Sequence, residues 1–257
     1  MTQPRFSHVP NVTGYMRIVV SRICQHFPDL AGKTVLDFPA GNGWVGDQLR
    51  HRGANVTSAD INEERPDFKW IDMEKTLPFE NETYDVIVCA EGIEHIFSPY
   101  HLLKEFSRML RPGGILIITT PNIQNLYSRF QFLCTGYLFQ FHPFEKIPLE
   151  DEMMSDKGHI SPVSYLQLRY FSRHFGLTVE KPDGDRMKRR VLFPLLFPFL
   201  LIGKWWAYKD WKRAGNDPEQ KEILGHLFGI KILLSRSIIF IAKKGSTSPR
   251  KSRFNDE

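Results

Sequence analysis

From Thr13 to Phe27 the apolar residues Met16, Val19, Val20, Ile23 and Phe27 recur at steps of three and four, the spacing of one helix face. Thr13 stands where an N-cap belongs, and Pro28-Asp29 predicts the stop. The period then changes. "KTVLDF" (33–38), "ANVTSAD" (54–60), "YDVIVCA" (84–90), "ILIITT" (115–120), "LTVE" (177–180) and "SIIFIAKK" (237–244) are apolar runs too short for helices, and they predict buried strands. Between them "GWVGDQLRHRG" (43–53) reads as a helix stopped by Gly53. Ser98 and Pro99 open a helix through Leu110, as N-cap and first-turn proline do. "RPGG" turns the chain into the next strand, and Ser161-Pro162 open a further helix closed by Gly176.

Strands alternating with helices predict a parallel sheet covered on both faces. In such sheets the ligand lies beyond the carboxyl ends of the strands, and Asp37, Asp60 and Glu91 all fall there. Two stretches break the alternation: 122–160, rich in aromatics, and 186–229, apolar and basic. At 257 residues the expectation is a single domain over 1–257, with a core at about 30–121, those two insertions, and a polar, disordered tail over 245–257.

Composition adds little until charge is placed. A hydrophobic share of 42% with 25% charged residues is that of a globular chain. Cys24, Cys89 and Cys134 are scattered and odd in number, which points to a reducing compartment; no signal segment and no run of 18 apolar residues is found. The expected location is cytoplasmic. Net charge is +5, yet residues 186–213 alone hold eight Lys/Arg against one Asp, leaving the remainder slightly acidic. That local basicity argues against a nucleic-acid partner.

"VLDFPAGNGWVG" (35–46) carries Gly41, Gly43 and Gly46 as G-x-G-x-x-G, a loop able to cradle a dinucleotide. A pyrophosphate at a helix N-terminus favours positive surroundings, so a carboxylate at Asp37 works against it. The same carboxylate suits a ligand with ammonium and sulfonium groups, such as S-adenosylmethionine. Asp60, about 20 residues past the loop, suits a ribose in either case. Asp72 adds a third acid that a nicotinamide cofactor does not need.

With Val35-Leu36-Asp37 and its glycine loop, Asp60, Asp72-Met73, "YDVIVCAEGIEHI", "LLKEFSRMLRPGG" and "ILIITTPN" in order, residues 33 to about 120 resemble the core of a class I S-adenosylmethionine-dependent methyltransferase. The resemblance extends to the ubiquinone-biosynthesis-type O-methyltransferase branch. It implies a doubly wound, mostly parallel seven-stranded sheet with helical and aromatic insertions. It also implies that Asp37, Pro39, Gly41 and Gly43 surround the methionine end of the cofactor. Asp60 with Ile61 would take the ribose, Asp72 with Met73 would flank the adenine, and Glu91 would complete the set. Pro39 departs from the family, which usually has glycine there; proline supplies no N–H.

Glu91, Glu94 and His95 follow the strand that leads into this site. If one helical turn starts at Glu91, positions i, i+3 and i+4 share a face and can bind one divalent cation, Mg²⁺ or Zn²⁺. "EGIEH" resembles the same motif in ubiquinone-biosynthesis O-methyltransferases and small-RNA 2′-O-methyltransferases, which use a further histidine; here that is His159. Two alternatives stand beside the metal: His95 as a metal-free base, and hydrogen bonds that merely pin the loop.

For the acceptor, Tyr127, Phe130, Phe132, Tyr137, Phe139, Phe141 and Phe144 line a pocket or lid, or pack the insertion onto the domain. A lipid-like, quinone-like or lipid-linked saccharide acceptor fits this composition, and the arrangement resembles methyltransferases of surface-polysaccharide or prenyl-quinone pathways. In 186–213 the uncharged run Val191 to Gly203 is too short to span a bilayer, and Pro194 and Pro198 are expected to break a helix there. Flanking Arg186, Lys188, Arg189, Arg190, Lys204, Lys209, Lys212 and Arg213, with Trp205, Trp206, Tyr208 and Trp211, predict a peripheral contact with an anionic membrane surface. Two other classes remain: a catalytically silent binding protein of the same fold, and an NAD-dependent oxidoreductase.

Overall fold

The computed structural model describes residues 11–62, 65–142, 158–187 and 192–246. An eight-stranded sheet forms its centre, with strands β1 (Thr34–Asp37), β2 (Asn55–Asp60), β3 (Lys69–Trp70), β4 (Tyr84–Ala90), β5 (Leu110–Pro121), β6 (Leu177–Val179), β7 (Asp183–Gly184) and β8 (Ser237–Lys244). The order is β3-β2-β1-β4-β5-β8-β6, with β7 also paired to β8. Strands β1 to β5 are parallel, and β8 runs antiparallel to β5 and β6.

The continuous apolar runs follow from burial on both faces. In β4, Val86 and Val88 enter one core while Ile87 and Cys89 enter the other, and β5 divides Ile115 and Ile117 from Leu116 and Ile118 in the same way. Helices α1 (Gly14–His26) and α2 (Trp44–Arg50) cover the first face through Val19, Ile23 and Leu49. On the second lie α3 (Pro99–Met109) and α5 (Tyr165–His174), through Leu102, Phe106, Tyr165 and Leu168.

Several local expectations are corrected. Thr13 is the N-cap of α1 by backbone conformation, but its side chain makes no capping bond. "RPGG" is not a turn before β5 but part of it: pairing jumps from Tyr84–Leu110 to Val86–Ile115, so the extra residues bulge at the strand's start. The helix expected from Ser161-Pro162 begins at Tyr165. Ser164 and Gln167 form the capping box, which satisfies end N–H groups that a proline at 162 could not organise. Ser161 instead donates from Oγ to the Ile96 carbonyl at 2.5 Å and from its N–H to the Glu94 carbonyl at 2.9 Å.

The insertions carry helices α4 (Leu126–Thr135), α6 (Leu192–Arg213) and α7 (Pro218–Leu227), followed by the short α8 (Ile230–Leu234). Contrary to the reading of its prolines, α6 is one continuous helix of 22 residues. Pro194 sits in its first turn, where the N–H has no intrahelical partner, and Pro198 forfeits one bond inside it. Phe144, Lys188, Arg189, Arg190 and the tail from 247 lie outside the described residues.

Candidate functional site

Strand order reverses between β1 and β4, and the crevice this leaves at their carboxyl ends is where an open α/β sheet receives a ligand. A cavity of about 510 Å³ occupies it. Asp37, Pro39, Gly41, Asp60, Ile61, Asp72, Met73, Glu91, His95 and His159 all border that cavity, whereas Gly43 and Glu94 do not.

The glycine loop shapes the cavity's rim. Gly41 and Gly43 have φ of +55° and +78°, a region that L side chains rarely enter. Asp37 is 1% exposed and accepts the Gly46 N–H at 3.0 Å, so the first acid of the motif also caps the helix behind the loop. Burial pushes its carboxyl up to about 8, against the lowering effects of the Gly46 N–H and Arg50. Asp60 accepts the N–H groups of Gly41 at 2.8 Å and Asn62 at 3.1 Å, linking the ends of β1 and β2. Asp72 caps its own turn through the Glu74 N–H at 2.9 Å while bordering the cavity.

Past β4 the arrangement differs from the expected helical turn. Glu91 has φ of +51°, and only Ile93–His95 are helical, as one 3-10 turn. That kink separates Glu91 from the other three residues. Ligand-capable atoms of Glu94, His95 and His159 come within 4.8 Å of one another, and Glu91 is not in the group. Glu94 is fully buried, and neither carboxylate oxygen has a hydrogen-bond partner among the described residues. Burial, then the Glu91 charge, pushes its carboxyl up to about 8. His159 Nδ1 meets the Gln140 carbonyl at 2.8 Å, and its ring lies edge-on to His95 with centroids 4.8 Å apart.

Glu91 is held from the other side. Its N–H donates to the Thr119 carbonyl at 2.9 Å, and Oε1 is buried without a hydrogen bond among the described residues. Burial raises its carboxyl, while the Arg236 guanidinium and the neighbouring Thr119 and Ser237 hydroxyls oppose that rise.

Among the cavity residues that escaped the sequence reading are Tyr15 from α1, Gln140 from the first insertion and Arg236 before β8. No local pattern marks them, because each arrives through long-range packing. Arg236 is the one Lys or Arg among the described residues bordering the cavity. Of the aromatic insertion, the described rings do not border it: Phe130 and Phe132 are exposed, and Phe141 packs on the His159 ring with centroids 5.4 Å apart.

Comparisons with known proteins bear on the fold and the family. A family model described as a methyltransferase domain matches residues 9–181. The ubiquinone biosynthesis O-methyltransferase of Dechloromonas aromatica is 28% identical over 128 residues, 44% of this chain and 55% of that protein. The chain thus spans about half the length of that relative. The Pseudomonas fluorescens protein of the same name is 27% identical over 179 residues, 61% of this chain and 76% of its own. Among solved structures, an S-adenosylmethionine-dependent methyltransferase from Archaeoglobus fulgidus superposes with a TM-score of 0.55 over 93% of this chain and 97% of its own. At 16% identity that likeness is one of fold.

Proposed function

The chain belongs to the methyltransferase-domain family, and we propose that it transfers a methyl group from S-adenosylmethionine to a hydroxyl of an apolar, lipid-like or lipid-linked acceptor. The observation that carries this is the acid-rimmed cavity, with Asp37, Asp60 and Asp72 at successive strand ends. Asp37 and the loop at Gly41 face the cationic methionine end, Asp60 and Ile61 the ribose, and Asp72 and Met73 the adenine; Gly43 acts only by shaping the loop behind the cavity. A nicotinamide dinucleotide would bring its pyrophosphate against this acid rim, and a silent binding fold would have no use for the polar groups past β4.

Methyl transfer is an in-line displacement. The acceptor oxygen bonds to the methyl carbon, the carbon–sulfur bond breaks with its electron pair going to sulfur, and the hydroxyl proton goes to a base. Alignment supplies most of the rate, on the order of 7–11 kcal/mol. Glu91, with Oε1 buried, unbonded and at the cavity wall, is placed to receive that proton. Glu94, His95 and His159 fit a divalent cation: an orphaned buried carboxylate with two imidazoles is a donor set suited to Zn²⁺ more than Mg²⁺. Such an ion, when bound, lowers the pKa of a coordinated hydroxyl.

The same reading takes 1–257 as a single domain. It is supported by Tyr165 of α5, whose hydroxyl meets His226 Nδ1 of α7 at 2.7 Å, and by Arg169, which pairs with Glu219 at 3.0 Å. Calorimetry with S-adenosylmethionine and its demethylated product tests the proposal. Micromolar binding of both, followed by a 14 Da mass gain on a hydroxylated prenyl or lipid-linked acceptor, is the expected result, the gain being one CH₂. Absence of binding overturns it.

A further inference from the structure

Helix α6 is apolar on two sides, and among the described residues only one of them is packed. Phe193, Leu196 and Leu200, at steps of three and four, pack half-buried on Leu126 of α4 and on Leu233 and Leu234 of α8. On the far side Leu195, Phe199, Ile202 and Trp206 make a second row at i, i+4, i+7 and i+11, with 64%, 69%, 60% and 63% of their surfaces exposed. Continuous apolar rows of this kind on a soluble fold mark an interaction surface. At the C-terminal end the same side continues into Lys209 and Arg213, with Asp210, the one acid of α6, 4.0 Å from Arg213. Trp205 lies under the Lys209 ammonium, 5.0 Å from its ring centre.

We infer that this outer face of α6 docks the enzyme flat on an anionic lipid bilayer. Charge complementarity selects the occupant. A row of leucine, phenylalanine and isoleucine ending in tryptophan and then in cations matches acyl chains, interface and anionic headgroups in that order. A second copy would bring the same cations with it. No helix among the described residues is long and apolar enough to cross a membrane, so α6 lies in the interface. At 22 residues and about 1.5 Å per residue it is a rod of roughly 33 Å.

The start of the insertion that carries α6 is also tied to the cavity. Met187, ahead of α6, bridges to Ser235, and the Arg236 N–H donates to the Arg186 carbonyl at 3.2 Å, so the start of the insertion is fastened to a residue that borders the cavity. That α6 brings the site to a membrane-borne acceptor rests on the methyltransferase reading. The docking itself does not.

The experiment is flotation of the full chain with vesicles of phosphatidylcholine alone and of phosphatidylcholine mixed with phosphatidylglycerol. Wild type should float with the mixed vesicles, with a blue shift in tryptophan emission, and should be released by high salt. Replacing Leu195, Phe199 and Trp206 together by serine should reduce partitioning at least tenfold, and Lys209→Glu with Arg213→Glu should abolish the preference for anionic lipid. Both variants should keep the wild-type circular dichroism spectrum and S-adenosylmethionine affinity. Equal flotation of the serine variant overturns the inference. So does failure of wild type to float, or a dimer that the serine variant converts to monomer without any vesicle binding. Loss of cofactor binding with flotation intact would instead refute the enzymatic reading and leave the docking in place.

Discussion

The ring of Pro39 lies directly against Gly92: a β-carbon at residue 92 would come within 2.5 Å of Pro39 Cδ and 2.6 Å of Cγ. One residue opens the glycine loop after β1 and the other opens the segment after β4, so the proline ring is accommodated by a glycine across the crevice. Gly92→Ala should therefore push the two loops apart, raising the S-adenosylmethionine Kd at least tenfold. Pro39→Gly introduced alongside should recover most of that loss. A double-mutant cycle by calorimetry measures the coupling, expected at about 1–3 kcal/mol; strict additivity would refute the contact's role.

Asp60→Ala removes the acceptor for two N–H groups as well as the proposed ribose contact. Charge-assisted hydrogen bonds contribute about 1.5–3 kcal/mol each, so cofactor affinity should fall at least tenfold. Asp60→Asn keeps an acceptor for Gly41 and should fall less. Equal Kd values for wild type and both variants would remove Asp60 from the site.

Asp37 should make S-adenosylmethionine binding pH-dependent. Unfolded, its carboxyl titrates near 3.8; in the ligand-free fold burial holds the proton until about pH 8. Over that window the folded state binds more protons than the unfolded, so this residue's contribution to stability falls as pH rises. Asp37→Asn should raise the ligand-free Tm at pH 7.5 by at least about 2 °C. A cationic ligand draws the ionised form, so S-adenosylmethionine should release a proton on binding and tighten as pH rises toward 8. Methylthioadenosine, which lacks the charges, should not. Calorimetry in two buffers of different ionisation enthalpy detects the proton; identical heats would refute it.

Chelation tests the group at Glu94, His95 and His159. Activity should be abolished by excess chelator and restored by Zn²⁺, and His159→Ala should lower bound metal by elemental analysis while leaving cofactor affinity within about twofold. Full activity in chelator, with no metal in the protein, would leave proton removal to Glu91 without a metal's help.

Tyr165→Phe probes the tie between core and insertion. It would leave the buried His226 Nδ1 without its partner at 2.7 Å, at a cost of about 1–3 kcal/mol. In a chain of this size each ~1 kcal/mol lowers Tm by roughly 2–4 °C. An unchanged melting curve would show that α7 contributes nothing to the core's stability.

Much of this protein is written in short-range pattern. β8 spans the residues of its apolar run, "SIIFIAKK", and β2 and β4 end where Asp60 and Ala90 end theirs, because a strand buried on both faces must be apolar throughout. The acids at the ends of β1 and β2 were legible for the same reason: once the strands are known, parallel topology places their carboxyl ends together. What the tertiary structure decided is the direction of side chains and the meeting of distant segments. A positive φ at Glu91 takes it out of the group that a regular helical turn would have made with Glu94 and His95, and no residue type announces that angle. Tyr15 and Arg236 reach the cavity from opposite ends of the chain because α1 and β8 pack on one core. In α6 the sequence shows apolar residues all round. Only its seat on Leu126, Leu233 and Leu234 determines which row is covered and which faces outward.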